Sequence, residues 1–213
     1  SINNKGHNAN IALSPDGQTL FIYVNTYEDP GSILVSHLTG EDWSVPEHIK
    51  GVINRPYWEG SASLSSDGKT LYFSSERPGG IGGKDLYRAT KLEDGTWGKL
   101  EILGTTINTV EDEDGPFIHP DGVILHYSSK GHNSMGGYDI FRSDYLDKEW
   151  TQPFNLGYPV NTTDDDIYYV VSADGRNGYF SSGRPGGYGD QDLYVVDPGL
   201  IGGFNLNLAM IKG

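Results

Sequence analysis

The 213-residue sequence has no cysteine, only two methionines, and about half as many basic as acidic side chains, 15 Lys and Arg against 29 Asp and Glu. Without cysteine there are no disulfides and no thiol chemistry, although that absence selects no compartment. The net charge of −14 speaks against nucleic-acid phosphate or an anionic membrane surface as partner, since both repel it. Cations and basic protein surfaces are permitted. No apolar run approaches the roughly 18 residues that a membrane helix needs, and no basic segment with an apolar core opens the chain, so direct membrane insertion is not expected.

What the chain does have is glycine and tyrosine, 30 and 14 residues. With few helix-period segments, this composition argues for many short strands joined by tight turns. The clearest unit runs from Ser65 to Thr90, SSDGKTLYFSSERPGGIGGKDLYRAT. Ser65-Ser66-Asp67-Gly68 pairs a side chain that bonds its own backbone with a glycine that accepts positive φ, which suits a hairpin tip. Leu71-Tyr72-Phe73 is apolar on both faces and reads as a strand covered from both sides. Arg77-Pro78-Gly79-Gly80 ends it, Asp85-Leu86-Tyr87-Arg88 forms the next strand, and Gly95-Thr96-Trp97 opens a fourth. One unit is a four-stranded antiparallel sheet.

The unit is written four times. The turn aspartates Asp16, Asp67, Asp121 and Asp174 are spaced by 51, 54 and 53 residues, which signals a repeat architecture. Thirteen residues before each stands Asn3, Asn54, Asn108 or Asn161, and eleven before the last three stands Trp43, Trp97 or Trp150. These fixed distances confine length variation to the middle loops. Radial repetition of four-stranded sheets is a β-propeller, here with repeats of about 53 residues at 3–53, 54–107, 108–160 and 161–198. Ser1-Ile2-Asn3 reads as the tail of a strand, so the chain is expected to start within a repeat and to be part of a larger, six-bladed ring. Segment 199–213, in which Gly202–Met210 alternates apolar and polar residues, is expected to close the ring, to complete the fourth blade or to begin a following β domain.

The pattern S-x-D-G-x-T-L-Y-F-S-S followed by G-G-x-D-L-Y resembles the PD40 family of WD40-like propellers, which includes the TolB propeller. The resemblance covers residues 1 to about 198, and the first copy departs, with Ser32-Ile33-Leu34-Val35 in place of Asp-Leu-Tyr. Copies rich in R-P-G-G look like those of large envelope proteins of Bacteroidota. There the propeller commonly lies between tetratricopeptide repeats and an OmpA-like peptidoglycan-binding domain, as in a lipoprotein of the type IX secretion system. The resemblance therefore implies a periplasmic, outer-membrane-associated protein with protein partners, reaching peptidoglycan through another domain. Kelch repeats match less well because they lack the S-x-D-G turn.

Candidate sites follow from the repeat and from its exceptions. Five residues after the junction asparagines stand Asn8, Glu59, Glu113 and Asp166, expected on one face at the innermost strands. Glu59, Glu113 and Asp166 either face a central channel, where hard oxygen ligands suit a cation such as calcium, or accept backbone hydrogen bonds. Asp85, Asp139 and Asp192, with the four turn aspartates and the three tryptophans, are read as structural. Arg77, Lys130 and Arg184 stand in the loops before the third strands. Tyr57-Trp58 and Tyr168-Tyr169 depart from the repeat and are the candidate partner-binding residues, since exposed aromatic anchors are typical of binding surfaces. Ser66-Asp67-Gly68-Lys69 fits S-x-x-K, but that chemistry needs a helix start rather than a hairpin turn. The six histidines show no H-E-x-x-H spacing, and His126 stands where Tyr72 and Tyr179 stand in their strands. No catalytic residue is assigned. The expected function is a non-enzymatic scaffold or binding propeller of the cell envelope, with a glycan-binding or glycoside-cleaving propeller and the gating propeller of a serine peptidase as alternatives.

Overall fold

The computed structural model describes residues 6–29, 31–54, 56–172, 174–200 and 209–210. Asn3 and the stretch from Gly202 to Leu208 lie outside them. Four antiparallel sheets follow one another along the chain. The first holds β1 (His7–Leu13), β2 (Thr19–Asn25), β3 (Ser32–Thr39), β4 (Asp42–Trp43) and β5 (Glu47–His48), and the second β6 (Glu59–Leu64), β7 (Thr70–Ser75), β8 (Asp85–Lys91) and β9 (Trp97–Ile102). The third holds β10 (Glu113–Ile118), β11 (Ile124–Ser129), β12 (Asp139–Leu146), β13 (Glu149–Trp150) and β14 (Phe154–Asn155). The fourth holds β15 (Asp166–Val171), β16 (Gly178–Ser182), β17 (Asp192–Val196) and β18 (Ala209–Met210), which pairs with β17 at the sheet edge. Among the described residues the only helical element is a 3-10 turn, Pro198–Leu200. The chain is an all-β protein whose four sheets are arranged as propeller blades.

The outermost strand is continuous in the second blade and broken in the first and third. Pro46 and Pro153 stand where β9 has Leu100, and a residue without an N–H cannot continue the ladder. In the second blade, Lys99 instead adopts a φ of 46° at a bulge and β9 runs on.

Three apolar layers hold neighbouring blades together. Phe21, Ile33 and Val35 of the first meet Leu71, Phe73, Tyr87 and Trp97 of the second. Tyr72 and Leu86 of the second meet Ile118, Leu125, Tyr127 and Phe141 of the third, and Ile140 of the third meets Tyr169, Phe180 and Tyr194 of the fourth. Strands covered on both faces explain the unalternating Leu-Tyr-Phe runs. Among the described residues no apolar layer joins the fourth blade to the first.

Repeated polar clamps fix the register between blades. Asn54, Asn108 and Asn161 each reach back to the preceding blade. Each accepts from the N–H and donates to the carbonyl of one residue, Ile33, Leu86 or Ile140. A side-chain amide satisfies a backbone donor and acceptor together, which explains the asparagines' fixed place. At the hairpin tips Asp16, Asp67, Asp121 and Asp174 accept from backbone N–H groups two residues on, while the following glycines sit at φ near 70°. Asp85, Asp139 and Asp192 accept from the amides of Ile81, Met135 and Tyr188, tying down the glycine-rich loops. Trp97 is buried, with its ring 6.4 Å from Phe21. Trp150 is half-buried beside Tyr72 and Tyr145, and Trp43 packs on Leu20, Ile22 and Val24.

Candidate functional site

The innermost strands β1, β6, β10 and β15 converge on a cavity of about 930 Å³. All four are bulged near their midpoints, and a bulge bends a strand and re-aims its side chains. The walls come from Ile11, Leu64, Phe117 and Val170, with Tyr23, Trp58 and Tyr168 as aromatic surfaces. Trp58 donates its indole N–H to the Tyr23 hydroxyl at 3.0 Å, and its ring carries the Lys84 ammonium at 4.0 Å. It lies flat on Gly60, where a Cβ would stand 2.4 Å from the ring, so only glycine admits the tryptophan there. Lys84 in turn meets Asp114 at 3.1 Å, and Asp114 also accepts from Ser74 and from the N–H of Gly115. Among the described residues this is the only ion pair lining the cavity, and its charges compensate each other.

Tyr168 is the outlier of the site. Its φ is 61°, a left-handed conformation that the third blade gives to Gly115 at the same place, with φ 58°. A non-glycine residue held there costs about 1 kcal/mol or more, and such strain concentrates where a side chain has a task. The ring is half exposed over the cavity, which Ser61 also lines, while burial pushes its hydroxyl above the usual tyrosine range.

The structure brings Trp58 and Tyr168 together and separates the other aromatic candidates. Tyr57 is exposed but does not line the cavity. Tyr169 is buried at the cavity's edge, 4.8 Å from the His126 ring, in the layer between the third and fourth blades. Glu59, Glu113 and Asp166 do not face the channel, which corrects the cation-ring expectation. All three are fully buried and turned into the joints between blades. Glu59 accepts from the Asn54 N–H and pairs with Arg77, and Asp166 accepts from Thr162 and pairs with Arg184 at 2.9 Å. Glu113 accepts from Thr109 and Ser129. Each lies where burial would leave the junction amide unpaired, and that need turns the carboxylate inward. Among the described residues no group of three or more His, Asp or Glu side chains is placed to hold a metal ion.

Sequence reasoning misses Lys84 and Phe117, and reads Asp114 only as one of a run of acidic residues, Glu111–Asp114, that could supply oxygen ligands to a cation. The signal was present, because Lys84 stands where the other repeats have Tyr138 and Gln191, and Asp114 where they have Gly60 and Ile167. A smaller cavity of about 380 Å³ lies between the second and third blades, lined by Arg88, Tyr145 and Trp150. There Arg88 is committed to Glu101 at 2.8 Å and lies over the Tyr145 ring, so this pocket is a pinned joint.

No protein-family model and no curated protein matches the chain. Solved structures do. TolB from Acinetobacter baumannii superposes with a TM-score of 0.62 at 18% identity, over 97% of this chain and 44% of TolB. A chain of the nidogen/laminin complex gives 0.58 at 14% identity, over 95% and 63%. A puromycin-hydrolyzing peptidase of Mycobacterium tuberculosis gives 0.57 at 18% identity, over 98% and 31%. The chain spans less than half the length of that TolB. At these identities the likeness establishes the fold: a TolB-like β-propeller arrangement, shared by proteins of different activity.

Proposed function

We propose that the chain is a non-enzymatic binding module of the bacterial cell envelope, whose axial cavity receives a segment of a protein partner within a peptidoglycan-associated assembly. The observation that carries this reading is the wall of the cavity. It is apolar and aromatic, and among the described residues Asp114, already paired with Lys84, is the only carboxylate lining it. A pocket of this kind holds a ligand by burial of apolar surface with a few orienting polar groups. Cleavage of a glycoside needs two carboxylates about 5–9.5 Å apart around the sugar, and among the described residues the cavity offers no such pair. The envelope setting is supported by the TolB-like fold and by the repeat's resemblance to envelope propellers.

The test is photo-crosslinking from position 61, on the cavity wall, and from position 27, which is fully exposed elsewhere. The reading predicts one dominant envelope-protein adduct from position 61, lost when Trp58→Ala is added, and none from position 27. Equal adducts from both positions, or binding of glycans on an array in place of protein, would overturn it.

A further inference from the structure

The joints of the second and fourth blades are locked by arginine. Arg77 lies 5.1 Å and 5.0 Å over the Phe73 and Tyr87 rings and reaches Glu59. Arg184 lies 5.2 Å and 4.7 Å over Phe180 and Tyr194, donates to the Val160 carbonyl at 2.6 Å and meets Asp166. In the third blade the corresponding rings are Tyr127 and Phe141, and the group lying against them is the imidazole of His132, 6.2 Å and 5.3 Å away. Its Nε2 stands 2.9 Å from the Ile107 carbonyl, the counterpart of the Val160 carbonyl, and 3.1 Å from the Tyr127 hydroxyl. Gly131 occupies the place that the sequence aligns with the two arginines, and Lys130, one residue earlier, is drawn outward to Asp112 at 3.0 Å.

Glu113 is therefore left with no cation. It is fully buried, and its oxygens accept from the Thr109 N–H at 2.8 Å, the Thr109 hydroxyl at 2.7 Å and the Ser129 hydroxyl at 2.8 Å. The titratable and charged groups around it are Tyr127 on β11, Asp85 on β8, His132 in the following loop, and the Asp112–Lys130 pair beside it. Both hydroxyls can turn to accept, so the site can also hold a carboxylic acid that donates.

We infer that the joint between the second and third blades is a proton-sensing joint: with a histidine in the arginine's place and no cation paired with its buried carboxyl, it closes most tightly when Glu113 carries a proton. Burial, with Asp85 adding repulsion, pushes the Glu113 carboxyl from 4.5 up to about 7. A raised folded-state pKa favours the closed joint fully below about pH 4.5, and the advantage is lost as pH rises through about 7.

The test is hydrogen exchange at the amides of Thr109 and Lys130, corrected for intrinsic exchange, between pH 4.5 and 8. Protection is expected to fall roughly tenfold per pH unit from about 4.5 to about 7 and to level off above. The Thr162 and Gly183 amides of the arginine-locked fourth joint serve as the internal reference. Glu113→Gln should abolish the difference between the two joints, and His132→Arg should shrink it by supplying the missing cation. Carbon-13 titration of the Glu113 carboxyl should give a midpoint near 7. A midpoint below 5, or the same slope in Glu113→Gln as in the parent, would overturn the inference. If His132→Arg does not fold, those two measurements decide it.

Discussion

Replacing His126 with tyrosine is expected to make the protein gain stability in mildly acidic solution, where the parent's profile is nearly level. His126 is buried in the third blade, with its ring 4.8 Å from Tyr169 and 6.4 Å from Phe117, and its Nδ1 has no hydrogen-bond partner. Burial, aided by the nearby Arg142 charge, lowers its pKa from 6.5 to about 3. A depressed histidine pKa contributes stability that is complete above pH 6.5 and is lost as pH falls toward 3, to a total of about 5 kcal/mol. Glu113 acts in the opposite sense, with about 3 kcal/mol present below pH 4.5 and lost as pH rises toward 7. The two slopes nearly cancel between about 4.5 and 6.5, where the parent protein should be level.

Tyrosine is the residue that the second blade uses at this place. Tyr72 stands opposite Arg88, whose charge acts on its hydroxyl, and His126 opposes Arg142 in the same register, so the new hydroxyl has a cation beside it. With the histidine gone, the Glu113 contribution is no longer opposed by it; burial also pushes Glu59, Asp85 and Asp139 up, in the same sense as Glu113 and in parent and variant alike. His126→Tyr should then gain about 3 kcal/mol on acidification from pH 7 to 4.5, read from urea denaturation midpoints at constant m. The exposed turn aspartates are held below the usual carboxylate range by their serine and backbone donors. They titrate outside this window and cancel in the comparison of variant with parent. Parallel profiles for the two proteins would refute the reasoning, because they would mean that His126 does not change protonation on unfolding.

Three further substitutions test the repeat's fastenings. Trp97→Ala removes a buried anchor between the first and second blades and should cost about 3 kcal/mol or more in chemical denaturation. Asn161→Ala leaves the N–H of buried Ile140 without a partner and its carbonyl with the Leu156 N–H alone, and should cost about 2 kcal/mol; a loss under 1 kcal/mol would show that water replaces the clamp. Arg184→Met strands the fully buried Asp166 and should lower stability at pH 7 by about 3–5 kcal/mol, with partial recovery in acid as the carboxylate is protonated.

The parts of this molecule that were legible in its sequence are those held at fixed covalent distances. Asn54, Asn108 and Asn161 stand thirteen residues before the turn aspartates because one clamp is built three times, and Asp67-Gly68 declares its hairpin through side-chain chemistry that acts within two residues. What was not legible depends on neighbours that are distant along the chain. Nothing local shows that Glu59 turns away from the axis, since its direction is set by the Asn54 amide and the Arg77 guanidinium together. Nor does alignment, which puts Gly131 at the arginines' place, show that His132 one residue on takes their role, because a one-residue shift within a loop changes no spacing in the strands. Tyr168 was noticed as an exception to the repeat, yet its left-handed backbone follows only from the bulge in β15 that Gly115 shows in β10. The third and fourth repeats carry the same frame with different tenants, and those differences hold most of the chemistry.

The most direct test of four repeats wrapped around one axis uses the absence of native cysteine. Ser61 and Tyr168, two repeats apart in sequence, meet across the cavity. In the double variant Ser61→Cys, Tyr168→Cys, a short bis-maleimide should form an intramolecular crosslink in most molecules. Two cysteines that both react with a monofunctional maleimide yet never crosslink to each other would contradict the radial arrangement.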